Sequence, residues 1–169
     1  MKLFFISSIV FLNFISSAYS NWNFQVKENP MDNTKSVYLF TDEAFSNPKM
    51  NIPHNNTRVS LVFACSNMKK WSFFAFNESP ILNNKSIKSG YDEITTRIKF
   101  GNNIENIQLI HEWGQTALHV KNDYLFRHTL SGNLELLLEL DWYGEGKVYF
   151  KFNTTGFIEK LKELNEQCY

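Results

Sequence analysis

The sequence has little glycine, little proline, almost no cysteine and no surplus of either charge. Seven Gly and four Pro in 169 residues exclude collagen-like and low-complexity material. Two Cys are too few for a disulfide-dense miniprotein or a four-cysteine zinc site. Lys and Arg number 17, as do Asp and Glu, so no net field draws the chain to nucleic acid or to an anionic membrane. Beyond the amino terminus no apolar run is long enough for the ~30 Å of hydrocarbon in a bilayer. The sequence contains no HExxH, CxxC, GxSxG, Walker loop or GxGxxG, so neither a metal nor a cofactor is expected.

What is present is apolar and aromatic. Hydrophobic residues make up 43% of the chain, and 16 are Phe. That is enough to bury a core in one domain, and too much for a disordered chain.

The amino terminus reads as an address. Met1-Lys2 is a short basic start, Leu3 to Phe14 is mostly apolar, and Ala18 and Ser20 are small residues at the −3 and −1 positions of a cleavage site. The pattern predicts a signal peptide over residues 1–20, cut between Ser20 and Asn21. The apolar stretch is too short and too serine-rich for a membrane anchor. The expected product is a single exported domain, Asn21 to Tyr169, periplasmic or secreted, with no membrane span after cleavage.

Short strand signals recur along this domain. After a first strand near Trp22–Lys27 they fall at Ser36–Thr41, Arg58–Cys65, Trp71–Phe76, Ile94–Phe100, Ile107–Trp113, Ala117–Val120, Leu134–Leu140 and Lys147–Phe152. Ile94, Thr96, Ile98 and Phe100 alternate with Thr95, Arg97 and Lys99, as in a half-buried strand. Gly101-Asn102-Asn103 and Gly144-Glu145-Gly146 read as turns. Tyr124 to Leu130 reads as a loop or a short helix. Phe157, Ile158, Leu161, Leu164 and Cys168 recur at helical steps, with Thr154 or Thr155 as candidate caps. The predicted fold is mainly β, an antiparallel sandwich or barrel-like domain with a C-terminal α-helix and one disulfide. Asn47–Asn56 and Asn77–Tyr91 read as exposed loops and as candidate contact surfaces.

An even cysteine count in an exported chain favours a Cys65–Cys168 disulfide, tying the third strand region to the end of the helix. No base lies near either position in sequence, so neither reads as a nucleophile. Among the four His, none are paired at helical spacing. Glu135, Glu139 and Asp141 share one strand face opposite Leu134, Leu136, Leu138 and Leu140. Such carboxylates serve glycan cleavage when one pKa is raised, and otherwise form a solvated face. Trp22, Trp71, Trp113 and Trp142, with Phe73, Phe74 and Phe76, read either as core or as a stacking platform. Asn55, Asn77, Asn84 and Asn153 open N-x-S/T sequons, which matter only in a host that glycosylates.

The order of several landmarks resembles the type VI secretion-associated periplasmic proteins of the TagO/VasI kind. The resemblance runs from Trp22 through Pro30-Met31-Asp32 and Lys35-Ser36-Val37-Tyr38-Leu39 to Leu61-Val62-Phe63-Ala64-Cys65. It continues through Thr96-Arg97-Ile98, Trp113 with Thr116-Ala117-Leu118, and Phe152 to Phe157, and closes on Leu161 to Cys168. Ala64 and Asn153 stand where the family often has Arg and Asp. The resemblance implies a non-enzymatic accessory or binding protein of the bacterial envelope, attached to a secretion cluster or a prophage. Its partner would be another envelope or secretion-system protein. The family pattern has no catalytic residues to carry over. Rival functions are inhibition of a cell-wall-degrading enzyme and, further off, a glycan-acting enzyme.

Overall fold

The structure is a computed structural model that describes residues 22–168. The predicted signal peptide and the Ser20/Asn21 cleavage point lie outside the described residues.

Among the described residues eleven strands and two α-helices form in the order β1 (Trp22–Glu28), β2 (Lys35–Thr41), β3 (Ala44–Asn47), β4 (Arg58–Ser66), β5 (Lys69–Phe76), β6 (Lys85–Ile87), β7 (Tyr91–Phe100), β8 (Asn103–Glu112), β9 (Ala117–Val120), α1 (Asp123–Leu130), β10 (Glu135–Trp142), β11 (Gly146–Asn153) and α2 (Phe157–Gln167), with a 3-10 turn at His54–Asn56 before β4. Every strand pairing is antiparallel. Eight strands close into a ring, β4–β3–β11–β10–β7–β8–β9–β5, with β5 returning to β4. The fold is therefore a barrel. The β1–β2 hairpin lies outside the ring, because β2 pairs with the carboxyl-terminal half of β4 while β3 takes its amino-terminal half.

The barrel interior is filled by alternate side chains, as expected for eight strands. Ile94, Ile98 and Phe100 of β7, Leu136, Leu138 and Leu140 of β10, and Leu61 and Phe63 of β4 are all buried. Strand topology gives the barrel two different ends. Both helices follow strands that finish at the same end, α1 after β9 and α2 after β11. There Phe126 of α1 lies 5.9 Å from Phe63 and 5.9 Å from Phe100, and Phe157 of α2 lies 4.6 Å from Phe63. Trp22 closes against Phe157 at 5.4 Å, and its indole N–H donates to the Thr155 carbonyl. The opposite end carries the two long loops.

Cys65 and Cys168 form a disulfide, with Cα atoms 6.0 Å apart. It pins the end of α2 to β4, as the sequence predicts. The cap of α2 differs from expectation. Gly156 occupies the N-cap position at φ 78°, with no side-chain cap. Thr154 is buried instead and donates its hydroxyl to the Asn133 carbonyl, so it is committed to the loop before β10. The ambiguous Tyr124–Leu130 stretch is helical, capped by Asn122, whose side chain accepts from the Leu125 N–H at 3.2 Å.

The Asn77–Tyr91 segment is more than a loop. Its β6 residues pair with Asp92–Ile94 of β7, and Leu82 bridges to Trp142. Strand β10 meets β7 only at Ile98–Phe100. The segment thus fills the gap between β10 and the upper part of β7. Among the described residues no helix is long and apolar enough to cross a membrane.

Candidate functional site

The two loops singled out from the sequence meet at the end of the barrel away from the helices. Asn51 donates its backbone N–H and its side-chain amide to the Glu145 carboxylate at 3.1 and 3.0 Å. The Tyr143 N–H donates to the Ile81 carbonyl at 2.8 Å. Thr57 donates to Glu78, and the Arg58 N–H donates to Asn77 Oδ1 at 2.7 Å. Beneath them Trp142 is fully buried, with the His54 ring edge-on at 5.4 Å. Loops and β10–β11 turn therefore make one surface on a fixed base. Three large apolar side chains stand out from it: Ile52 at 85% exposure, Ile81 at 48% and Tyr143 at 66%. Neighbouring exposed apolar groups on a rigid frame are the usual mark of an interaction surface.

A polar cluster lies beside this surface. Ser79 Oγ is 3.5 Å from His111 Nε2, and Asp92 stands opposite His111 in the β7–β8 register. Serine, histidine and aspartate are the components of a nucleophilic triad, but their geometry here is different. His111 Nε2 is 2.9 Å from the Gln115 carbonyl oxygen. A carbonyl only accepts, so Nε2 carries the proton and cannot take one from Ser79. Asp92 accepts from the Trp113 indole at 3.1 Å and pairs with Lys85 at 3.1 Å. Burial alone would raise the Asp92 carboxyl, yet Trp113 and Lys85 hold it below its ordinary range. The cluster clamps the Asn77–Tyr91 segment to β7 and β8.

The three carboxylates of β10 do share an outer face, and each has its own partner. Glu135 pairs with Lys151 at 2.6 Å, and Asp141 accepts from Asn83 Nδ2 at 2.8 Å. Glu139 accepts from Arg97 through both Nε and Nη2, with Lys147 at 3.4 Å. These hydrogen bonds, Arg97 foremost, hold the Glu139 carboxyl below its ordinary value against the effect of burial. A general acid needs the opposite shift.

The aromatic platform does not assemble. Trp22 and Trp142 are buried at opposite ends of the barrel, Phe74 and Phe76 are core, and Trp113 is exposed near Asp92. The histidines are separate as well. His119 stacks on Phe73 at 5.2 Å and His128 on Tyr124 at 6.5 Å. Among the described residues no group of three or more His, Cys, Asp or Glu is placed to hold a metal ion. Of the sequon asparagines, Asn77 and Asn84 donate their side-chain amides to the backbone carbonyls of Asn56 and Thr95.

Sequence reasoning missed a cleft of about 340 Å³ between β7, β8 and α1. Strand β9 covers β8 only at Leu109 and Ile110 and then turns into α1. The amino-terminal half of β8 is left with β7 as its one strand neighbour. Ile98, Phe100, Ile107 and Phe126 line the cleft inside, with Glu105 and Lys121 among its polar residues. The only hint in the sequence was the apolar spacing of Leu125, Phe126 and Leu130.

No family model, curated protein or solved structure matches the chain. The functional argument therefore rests on the surfaces themselves. The loop end offers exposed apolar side chains on a hydrogen-bonded frame.

Proposed function

We propose that this chain is a non-enzymatic, exported accessory protein of the bacterial envelope that binds another protein through the loop end of its barrel. Its system would be a type VI secretion cluster or a prophage, as the resemblance in landmark order implies. What supports the reading is the hydrogen bonding of the Asn51 and Ile81 loops to the Tyr143–Glu145 turn, which leaves Ile52, Ile81 and Tyr143 exposed at one end of the barrel. The Cys65–Cys168 disulfide supports export, because such bonds persist in oxidising compartments. A closed barrel stapled to its terminal helix by a disulfide also limits the ordering cost of binding.

The test is site-specific crosslinking in the native envelope. A photoreactive residue replaces Ile52, Tyr143 or, as a control on β8, Ile104. The reading predicts that positions 52 and 143 capture the same protein and position 104 does not. Equal capture at all three, or none at 52 and 143, overturns it.

A second reading is inhibition of a cell-wall-degrading enzyme. It is favoured by the Asn51–Pro53 tip, where Ile52 projects at 85% exposure as an insertable side chain. Loss of lysozyme activity on adding the protein, restored by Ile52→Asp, would support it.

A further inference from the structure

Strand β8 has a neighbour on both sides for only part of its length. β7 pairs with it from Asn103 to Glu112, whereas β9 meets it at Leu109 and Ile110 alone. Asn122 then caps α1 and the chain turns away. The last bond on that side is the Lys121 N–H donating to the Gln108 carbonyl at 3.0 Å. That bond fixes the phase of the edge. Along an antiparallel strand the N–H and C=O groups of every second residue point to the same side, so those of Ile104 and Asn106 point the way Gln108 does. Among the described residues no strand pairs with them on that side, and no backbone hydrogen bond reaches them from it. Ile104 is 61% exposed, and Glu105 and Asn106 are exposed as well.

The cleft of about 340 Å³ runs along this edge. Glu105, Asn106, Ile107 and Gln108 all line it. Successive side chains of a strand point to opposite faces, so an opening that touches four residues in a row follows the edge itself. Leu125 of α1, 53% exposed, gives it an apolar wall. An unpaired edge beside a pocket is the setting for strand addition, in which backbone bonds hold the guest and the pocket selects a side chain.

Charge decides between guests. Lys121 of the cleft is paired with Glu93 at 2.8 Å, while Glu105 has no ion pair among the described residues. A second copy of the chain would set Ile104 against Asn106 of the other molecule and the two Glu105 side chains directly opposite each other, and like charges so placed are destabilising. A guest strand with a cation at that point is matched instead, its methylene stem lying on the apolar wall. Opposite Ile104 the same strand calls for an apolar residue.

We infer that the cleft takes an extended segment of a partner protein as an antiparallel strand added to β8, with Lys or Arg opposite Glu105 and an apolar side chain opposite Ile104. The inference is separate from the loop-end reading. A guest on this edge is captured from position 104 and not from position 52 or 143.

The test titrates the full exported chain with acetyl-Ser-Thr-Arg-Val-Ser-amide, followed by calorimetry. Its Thr, Arg and Val are matched to Asn106, Glu105 and Ile104. The peptide binds, and a version with Glu in place of Arg binds about tenfold more weakly, since one attraction is lost and one repulsion gained. Glu105→Lys reverses that preference and leaves the thermal unfolding midpoint unchanged, because Glu105 has no native ion pair to lose. N-methylation of the peptide's Val, whose N–H donates to the Ile104 carbonyl, weakens binding at least about fivefold. No heat at millimolar peptide, equal binding of the Arg and Glu peptides, or full affinity of the N-methyl peptide overturns the inference. So does a dimer in sedimentation that Glu105→Lys dissociates, which would give the edge to a second copy.

Discussion

Phe126 anchors α1 to the barrel wall. Its ring lies within about 6 Å of Phe63, Phe74 and Phe100, so it joins the helix to three strands of the barrel wall. Truncation to Ala leaves a cavity that a closed barrel cannot collapse around. Phe126→Ala should cost about 3–5 kcal/mol, read as a lower denaturant midpoint with an unchanged slope. A cost below about 1 kcal/mol would mean that α1 is not seated as described. Glu139 acts through charge rather than volume. Its folded-state pKa is depressed, chiefly by Arg97. A depressed carboxyl stabilises the fold above its unfolded pKa, and that contribution is lost as the pH falls through the folded value. The melting temperature of the native chain should therefore drop more steeply than that of Glu139→Gln from about pH 5 to about pH 3. Parallel profiles would contradict the ion pair. The carboxylate face of β10 was legible from its even spacing. Its role was not, because Arg97 and Lys147 reach Glu139 from neighbouring strands that sequence spacing cannot align.

Among the elements, the long strands were legible for a simple reason. β4, β7 and β10 each put one face into the core, and a period of two survives in the sequence as alternation. The helix α2 was equally plain from its 3–4-residue apolar steps. β3 and β6 were not. They have four and three residues, too few to show a period, and β6 sits in an Asn- and Ser-rich stretch that reads as a loop. Their formation depends on gaps left by β2 and β10, which only the assembled sheet defines. The cap of α2 was misread because Thr154 is drawn away by the Asn133 carbonyl, leaving Gly156 to take the left-handed turn. At this scale the disulfide is the most testable contact. It closes a segment with a sequence separation of 103, which in the chain-entropy treatment is worth about 4–5 kcal/mol at most. Replacing both Cys65 and Cys168 by Ala should lower stability toward that limit. Hydrogen exchange should quicken first in α2, whose end the bond holds to β4. Uniform loss of protection across β7 and β8 instead would show that α2 is not the part released.

For the molecule as a whole, composition and strand spacing led to an antiparallel barrel or sandwich and could not choose between them. The choice rests on one strand, β5, whose pairing with both β4 and β9 closes the ring. The candidate surfaces were legible to different degrees. The Asn47–Asn56 and Asn77–Tyr91 loops stood out through Pro, Asn and Gly. The cleft beside α1 did not, because it is made by elements set apart in sequence. The central proposal is that the chain is exported, cut after Ser20 and held by the Cys65–Cys168 disulfide, and the intact mass of the protein recovered from the cell envelope tests it most directly. Measured after alkylation without reductant, the account predicts the mass of Asn21–Tyr169 with no alkyl group added. A full-length mass, or two alkylated cysteines, would contradict it.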